Sequence, residues 1–487
     1  MFSSITAICR ANKHACVLFL PVIFSFILFL IPSFGYALYF DSKWEVYGYL
    51  KNETALRVKH PHELMKSEFT LEMDFTYHLA DNLLVFLKGK AFYDTVFDWE
   101  DDGYGKRKGL RSEIAKPNQD TTADPLREAY IDIFLKKMDI RIGKQQEVWG
   151  TADGLKVLDL INPTDFREFY QDDFEDSRIP LWAFKVNYYV GNGGNNVFQV
   201  IWIPDFEPDY IAPYGHPFAP LSTRTLGALK RPLPMVQWVT PLKTQVRGVA
   251  QNMRNSEIGF KWSQNFGSWE YTLNYFYHWN DNPGLYFKGY GSRFLGTPLL
   301  YEERFKRVHS LGGTFSKTFT RFFCLHNVVM RGEFLLNVHD STPASTPLTL
   351  NTPSGNKTVL TDSINYVIGW DKQFRGKYFF SLQFFQFITL DYHRSYLTGL
   401  TLAPKDRVDN AVSLLVSSDF FHEGLKTKVL MVYLDDGELW IQPRFTIELT
   451  TNVETTVGGN FYTGSPQGIL GEFRNNNQVV FEIKYGF

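Results

Sequence analysis

Strict alternation of apolar and polar residues recurs along most of this chain. Residues 68–79 set Phe69, Leu71, Met73, Phe75, Tyr77 and Leu79 on one face of an extended segment, and Glu68, Thr70, Glu72, Asp74, Thr76 and His78 on the other. A period of two is strand geometry, not helix. Residues 269–279 repeat the pattern, with Trp269, Tyr271, Leu273, Tyr275, Tyr277 and Trp279 facing one way. The last nine residues alternate without a break, which places Val479, Phe481, Ile483, Tyr485 and Phe487 together. An aromatic-rich apolar face backed by polar groups is what a barrel strand between lipid and a watery lumen requires. The edge strand of a soluble sandwich has the same period, so no single segment decides the matter.

The remaining segments carry the argument further. Strands are expected at 44–58, 68–79, 83–97, 127–135, 139–145, 180–190, 197–203, 256–264, 269–280, 306–319, 326–338, 363–373, 377–390, 408–418, 425–434, 438–449, 454–462 and the terminal nine. After the first strand, short turns such as Lys136-Lys137 alternate with longer polar connections, as short periplasmic turns alternate with external loops. The expected fold is all-β, a transmembrane antiparallel β-barrel of about 16–18 strands with a loop folded into the lumen.

Composition agrees with that architecture. Aromatics make up 17% of the 487 residues, including 44 Phe and 26 Tyr. Beyond the amino-terminal region no segment approaches the ~20 apolar residues of a spanning helix. Arg10 and Lys13, the apolar run from Ala15 to Ile31 and the small residues around Ala37 read as a secretory signal over 1–37, leaving 38–487 as the barrel domain. An uncleaved membrane anchor is the rival reading of that run. Cys9 and Cys16 fall in the leader, so Cys324 has no internal partner. The leader takes two of the 50 basic residues and none of the 52 acidic ones, which leaves the mature chain at −4. That balance gives no basic footprint for nucleic acid.

The densest cluster of charge lies in an irregular stretch over 147–179, too long and too mixed to be left in solvent. It is expected to fold inward and narrow the pore. Asp153, Lys156, Asp159, Asp165, Arg167, Glu168, Asp172, Asp173, Glu175, Asp176 and Arg178 are the candidate constriction charges. Opposed acids and arginines set up a transverse field that sorts solutes by charge and polarity. The alternative is that these charges satisfy one another and pin the loop to the wall, and the two are compatible. Thr164 is expected to cap a short helix with Arg167 and Glu168 in its first turn.

At this stretch the chain resembles the porin-like outer-membrane proteins grouped as domain of unknown function 1302. The resemblance rests on Gly143-Lys144-Gln145, Trp149-Gly150, Asp153-Gly154, Leu158 to Asn162-Pro163, Asp165, Arg167-Glu168 and Arg178 to Trp182. It extends to Asn255-Ser256-Glu257, Gly259, Gly458 to Phe461 and the terminal Phe487. It implies a Gram-negative outer-membrane barrel whose relatives look like uptake channels, some linked to hydrophobic or aromatic compounds and to inner-membrane or periplasmic transport partners. Phe481, Ile483, Tyr485 and Phe487 are then the expected signal to the barrel-assembly machinery. Outer-membrane lipid and a small-molecule solute complete the expected partners.

Other chemistry is weakly supported. Asp153 with Asp159, or Asp172 with Asp173, offer paired carboxylates for glycoside cleavage, but acids in a barrel lumen usually act electrostatically. Scattered histidines give no metal spacing, and neither a nucleophile elbow nor a phosphate-cradling loop is present. No enzyme activity and no cofactor are expected. The leading function is diffusion or uptake of small solutes. The rival is a barrel sheath around a partner such as a cytochrome, which must bring its own haem because the chain lacks Cys-x-x-Cys-His.

Overall fold

The computed structural model describes residues 43–60, 62–96, 125–191, 195–212, 216–224, 243–290, 299–322, 325–343, 358–398, 404–421 and 424–487. The expected leader 1–37, the polar loop over 98–124 and Cys324 lie outside the described residues.

Eighteen strands form one antiparallel sheet. They are β1 (Trp44–Arg57), β2 (Leu64–Ala80), β3 (Leu83–Asp94), β4 (Leu126–Leu135), β5 (Met138–Gln145) and β6 (Leu181–Val190). Next come β7 (Asn196–Ile203), β8 (Glu257–Phe266), β9 (Trp269–Trp279), β10 (Arg307–Phe322), β11 (Leu325–Pro343) and β12 (Thr358–Phe374). The set ends with β13 (Tyr378–Thr389), β14 (Val408–Phe420), β15 (Leu425–Leu434), β16 (Glu438–Thr450), β17 (Val453–Thr463) and β18 (Gln478–Gly486). Each pairs with its neighbours in sequence, and β1 pairs with β18 from Tyr49↔Gly486 to Arg57↔Gln478, which closes the barrel. Closure removes every free edge, the only way a sheet satisfies its backbone inside hydrocarbon.

The alternation sorts the two faces as the sequence suggests. Leu71, Leu273, Phe334, Leu382 and Phe445 point outward with exposures of 41–48%. Their neighbours Thr70, Asn274, Glu333 and Gln383 point into the lumen and are buried there. On β18, Val479 is exposed, whereas Ile483 is covered by Val453, with Leu50, Phe481 and Tyr485 packed around it. Phe487 and Gly48 exchange backbone hydrogen bonds of 2.9 and 3.0 Å at the seam.

Three features differ from the sequence reading. The ladder between β11 and β12 continues to Pro343↔Thr358, into a region expected to be loop. A ladder needs only backbone groups, and periodicity fades once both faces are wet. Within the proline-rich connection 204–256, Tyr210–Ile211 pairs in parallel with Asp165–Phe166 of the inner loop. Lys243–Arg247 joins Gly284–Tyr290 and Leu299–Arg304 in a separate three-stranded sheet.

Candidate functional site

The connection 146–180 enters the lumen between β5 and β6 and crosses to the opposite wall. Its first half is an apolar arm. Trp149, Val157, Leu158 and Ile161 pack against Leu181, Ala183, Ile201, Ile203, Phe276 and Leu335 of the wall. Trp149 meets Phe276 edge-on at 5.8 Å between ring centroids, and its Nε1 donates to Gln199 Oε1 at 2.8 Å. The wall is notched to receive this arm. A Cβ at Gly259 would meet the Trp149 ring at 2.8 Å, and one at Gly312 would overlap Leu158. Fully burying side chains of this size contributes about 1.5–3 kcal/mol each.

The apex is fastened by polar groups. The Glu333 carboxylate of β11 accepts from the backbone N–H groups of Thr151 and of Leu158, the latter at 2.9 Å. Gln383 of β13 accepts from the Asp153 N–H at 2.9 Å. Arg331 pairs with Asp153 and, at 2.7 Å, with Asp371. These bonds satisfy the irregular backbone of the apex, which would otherwise be buried unpaired.

The neck is a buried ion group. Arg178 Nε donates to Asp159 Oδ2 at 2.9 Å, and Lys156 lies 3.6 Å from the same oxygen. Lys156 also donates to Thr164 Oγ1 at 3.0 Å. Burial lowers the Lys156 pKa against the pull of Asp159. Thr164 therefore does not cap a helix. It forms a bridge with Arg178, its N–H donates to Asp209 at 2.7 Å, and the chain beyond it turns at Phe169 with a φ of 61°. The single helical turn of this stretch lies later, at Phe174–Ser177.

The second half is an acidic arm that faces a basic wall. Glu168 pairs with Lys66 at 2.8 Å, Asp173 with Lys428 at 3.0 Å and Asp176 with Lys90 at 2.6 Å. Arg127 donates to the Glu175 carbonyl at 3.0 Å and to that of Asp176 at 2.6 Å. Asp165 is held by Arg167 two residues on. The side chains of Asp173 and Glu175 remain 77% and 75% exposed, so this arm is hydrated where the apolar arm is dry. Burial pushes Glu168 up to about 8, with neighbouring Asp172, Glu53 and Glu68 adding to the shift and Lys66 opposing it. Burial also raises Asp172. At Asp176 burial works upward, but Lys90 together with Lys51 and Arg127 outweighs it and the pKa falls.

Between this arm and the wall lies a polar cleft of about 170 Å³. Tyr49, Glu72, Lys88, Arg127 and Lys484 line it from the wall, and Gln146, Glu175 and Asp176 from the loop side. Two further segments reach inward. Phe218 from 216–224 and Leu470 and Phe473 from 464–477 join Phe169, Trp440 and Tyr462 in a second apolar cluster within the lumen. Arg224 binds Glu472 at 2.6 Å and ties those two segments together.

All eleven candidate charges thus sit on the inner loop, in three separate places. Asp153 is at the apex; Lys156, Asp159 and Arg178 form the neck; the rest lie on the acidic arm. Their wall partners Lys66, Lys90, Arg331 and Lys428 did not emerge from sequence reading, although each occupies the polar face of its strand. Among the described residues no group of His, Cys, Asp and Glu is arranged to hold a metal.

A closed eighteen-strand antiparallel barrel with an apolar outer face, a polar lumen and a loop folded inside is an outer-membrane barrel of the porin type. The family described as "Protein of unknown function (DUF1302)" matches residues 57–398, and the chain belongs to it. Among solved structures, the Acinetobacter baumannii protein OccAB2 is similar in fold at 10% identity, covering 91% of this chain and 98% of its own, with a TM-score of 0.51. Pseudomonas aeruginosa OccK5 (OpdH) aligns at 9% identity over 91% of this chain and 98% of its own, with a TM-score of 0.47. Acinetobacter baumannii OccAB3 has 10% identity, 91% and 99% coverage, and a TM-score of 0.47. No curated protein matches the chain.

Proposed function

We propose that this protein is an outer-membrane channel for small solutes, with its polar path running between the acidic arm of the inner loop and the basic wall. The observation that carries the reading is the cleft itself, a water-accessible space lined by Glu175 and Asp176 of the loop and by Lys88, Arg127 and Lys484 of the wall. Opposed charges at that spacing orient water and favour solutes that complement both signs. In this reading Asp153, Lys156, Asp159 and Arg178 hold the loop in place, and Asp172, Asp173, Glu175 and Asp176 set the preference for ions. Hydrophobic or aromatic solutes would have to part the packed side chains of the two apolar clusters in the lumen. A sheath around a partner protein needs a lumen free of its own chain, whereas 146–180 crosses this one.

The test is planar-bilayer recording of the refolded protein. Discrete conductance steps are expected, and replacing Asp172, Asp173, Glu175 and Asp176 together by their amides lowers cation preference in reversal-potential measurements. No shift would remove those residues from the path, and a silent protein, with or without 151–176, would sink the channel.

A further inference from the structure

The wall's ladders skip one or two residues at several seams, and among the described residues one of these interruptions contains a proline. Between β16 and β17, pairing runs from Leu439↔Thr463 to Ile441↔Phe461, stops, and resumes at Arg444↔Gly458. Two residues lie unpaired on each side, Gln442 and Pro443 against Gly459 and Asn460, so the interruption is not a bulge. Pro443 is the cause, since it has no N–H to give. Its pairing with Val429 of β15 is intact, which puts the missing donor on the β17 side.

The gap is stoppered from within. Arg444 Nη1 donates to the Gly459 carbonyl at 2.9 Å and lies 3.3 Å from that of Pro443. A carbonyl facing hydrocarbon without a donor costs several kcal/mol, which explains why a guanidinium is placed there. Gln171 of the inner loop holds the two polar residues of the gap. Its carbonyl accepts from Gln442 at 2.8 Å and its side chain from Asn460 at 2.7 Å.

What lies on either side gives the gap a use. Outside, Phe445 and Val457 are 44% exposed each and pair two residues along from the gap, so it opens within the apolar band. Inside, Trp440 and Tyr462 stack at 6.0 Å next to it, in the cluster that Phe169 and Phe473 complete. Trp440 is 1% exposed, and its Nε1 has no hydrogen-bond partner. A buried N–H left unpaired among aromatics is suited to an apolar molecule with one acceptor.

We propose that the break between β16 and β17 is a side door through which small apolar molecules bearing a hydrogen-bond acceptor pass between the Trp440 cluster and the lipid. Arg444 and the Gln171 contacts hold it shut. This goes beyond the ion path proposed above and does not depend on it.

The experiment follows entry of prodan, an apolar naphthyl ketone, by fluorescence in intact cells with a lipopolysaccharide outer membrane, each expressing one form of the full chain. Pro443→Val restores the missing N–H. Prodan entry is expected to slow about fivefold, the effect of one recovered hydrogen bond, with single-channel conductance unchanged. Arg444→Met removes the stopper and is expected to speed entry. Wild-type entry rates in both folded variants would overturn the proposal. If Pro443→Val fails to fold, as judged by heat-modifiable gel mobility, Arg444→Met decides alone, and no acceleration overturns the proposal. Prodan entry that responds to these variants in a protein silent in bilayers would keep the door and discard the ion path.

Discussion

The two arms of the inner loop are attached by opposite physics. The arm that carries Trp149, Leu158 and Ile161 is fixed by close packing and by hydrogen bonds sheltered from water. Neither is much affected by salt. The arm that carries Asp173, Glu175 and Asp176 is fixed by ion pairs open to the lumen, and such pairs weaken as the Debye length shrinks towards a few ångströms. A loop built this way stays in place while the charge it presents remains adjustable. In the proposed channel, position falls to the dry arm and selectivity to the wet one.

The largest expected effect comes from attacking the dry arm. Trp149→Ala leaves a cavity against Phe276 and strands the Gln199 acceptor, and is expected to destabilise by about 3–5 kcal/mol. Thermal unfolding in detergent reads this directly. A loss no greater than that caused by changing an exposed acid would erase the distinction between the arms.

A middle-sized effect is expected from pH. The Glu168 carboxyl titrates near 8 in the folded barrel, above its ordinary 4.5. A raised acid pKa means that its stabilising contribution is complete below the ordinary value and is lost as pH rises through the folded one. Raising the pH from about 5 to 9 therefore adds a negative charge beside Glu53, Glu68 and Asp172 and loosens the acidic arm. Cation preference and protease cleavage within 165–177 should both rise over that window, and Glu168→Gln should flatten the profile. A wild-type profile already flat would mean that Lys66 keeps Glu168 ionised throughout.

The smallest effect on stability is expected from Asp173→Asn. Its pair with Lys428 is solvent-exposed and is worth about 0.2–1 kcal/mol at most. Melting should barely move, while reversal potential shifts at low salt and returns to the wild-type value at high salt. A melting change comparable to that of Trp149→Ala would show that the wet arm also carries the position.

Much of the barrel was legible because a strand with lipid on one side and water on the other has no choice about its period. Segments 68–79 and 269–279 announce their faces in Leu71, Leu273 and their neighbours, and the structure turns those residues outward. The inner loop was legible as an anomaly of length and charge. Its contacts were not, because nothing local in Glu333, Gln383 or Lys428 marks which distant backbone or carboxylate each will meet. The helix expected after Thr164 failed for a related reason, since Asp209 claims that residue from another connection and Lys156 from earlier in the same loop. Phe218 and Phe473 went unnoticed as lumen residues because connections that pack inside a barrel carry no period at all.

The clamp on the loop apex also orders events in time. Thr151 and Asp153 precede the groups that hold them, in Glu333, Gln383 and Ser413, by 182, 230 and 260 positions along the chain. When a chain is supplied amino end first, the apex has no berth until most of the wall exists, and closing so long a loop is slow. That berth lies on β11, β13 and β14, so it is complete before β18 pairs with β1, and the chain carries its stopper's seat before it carries a closed pore.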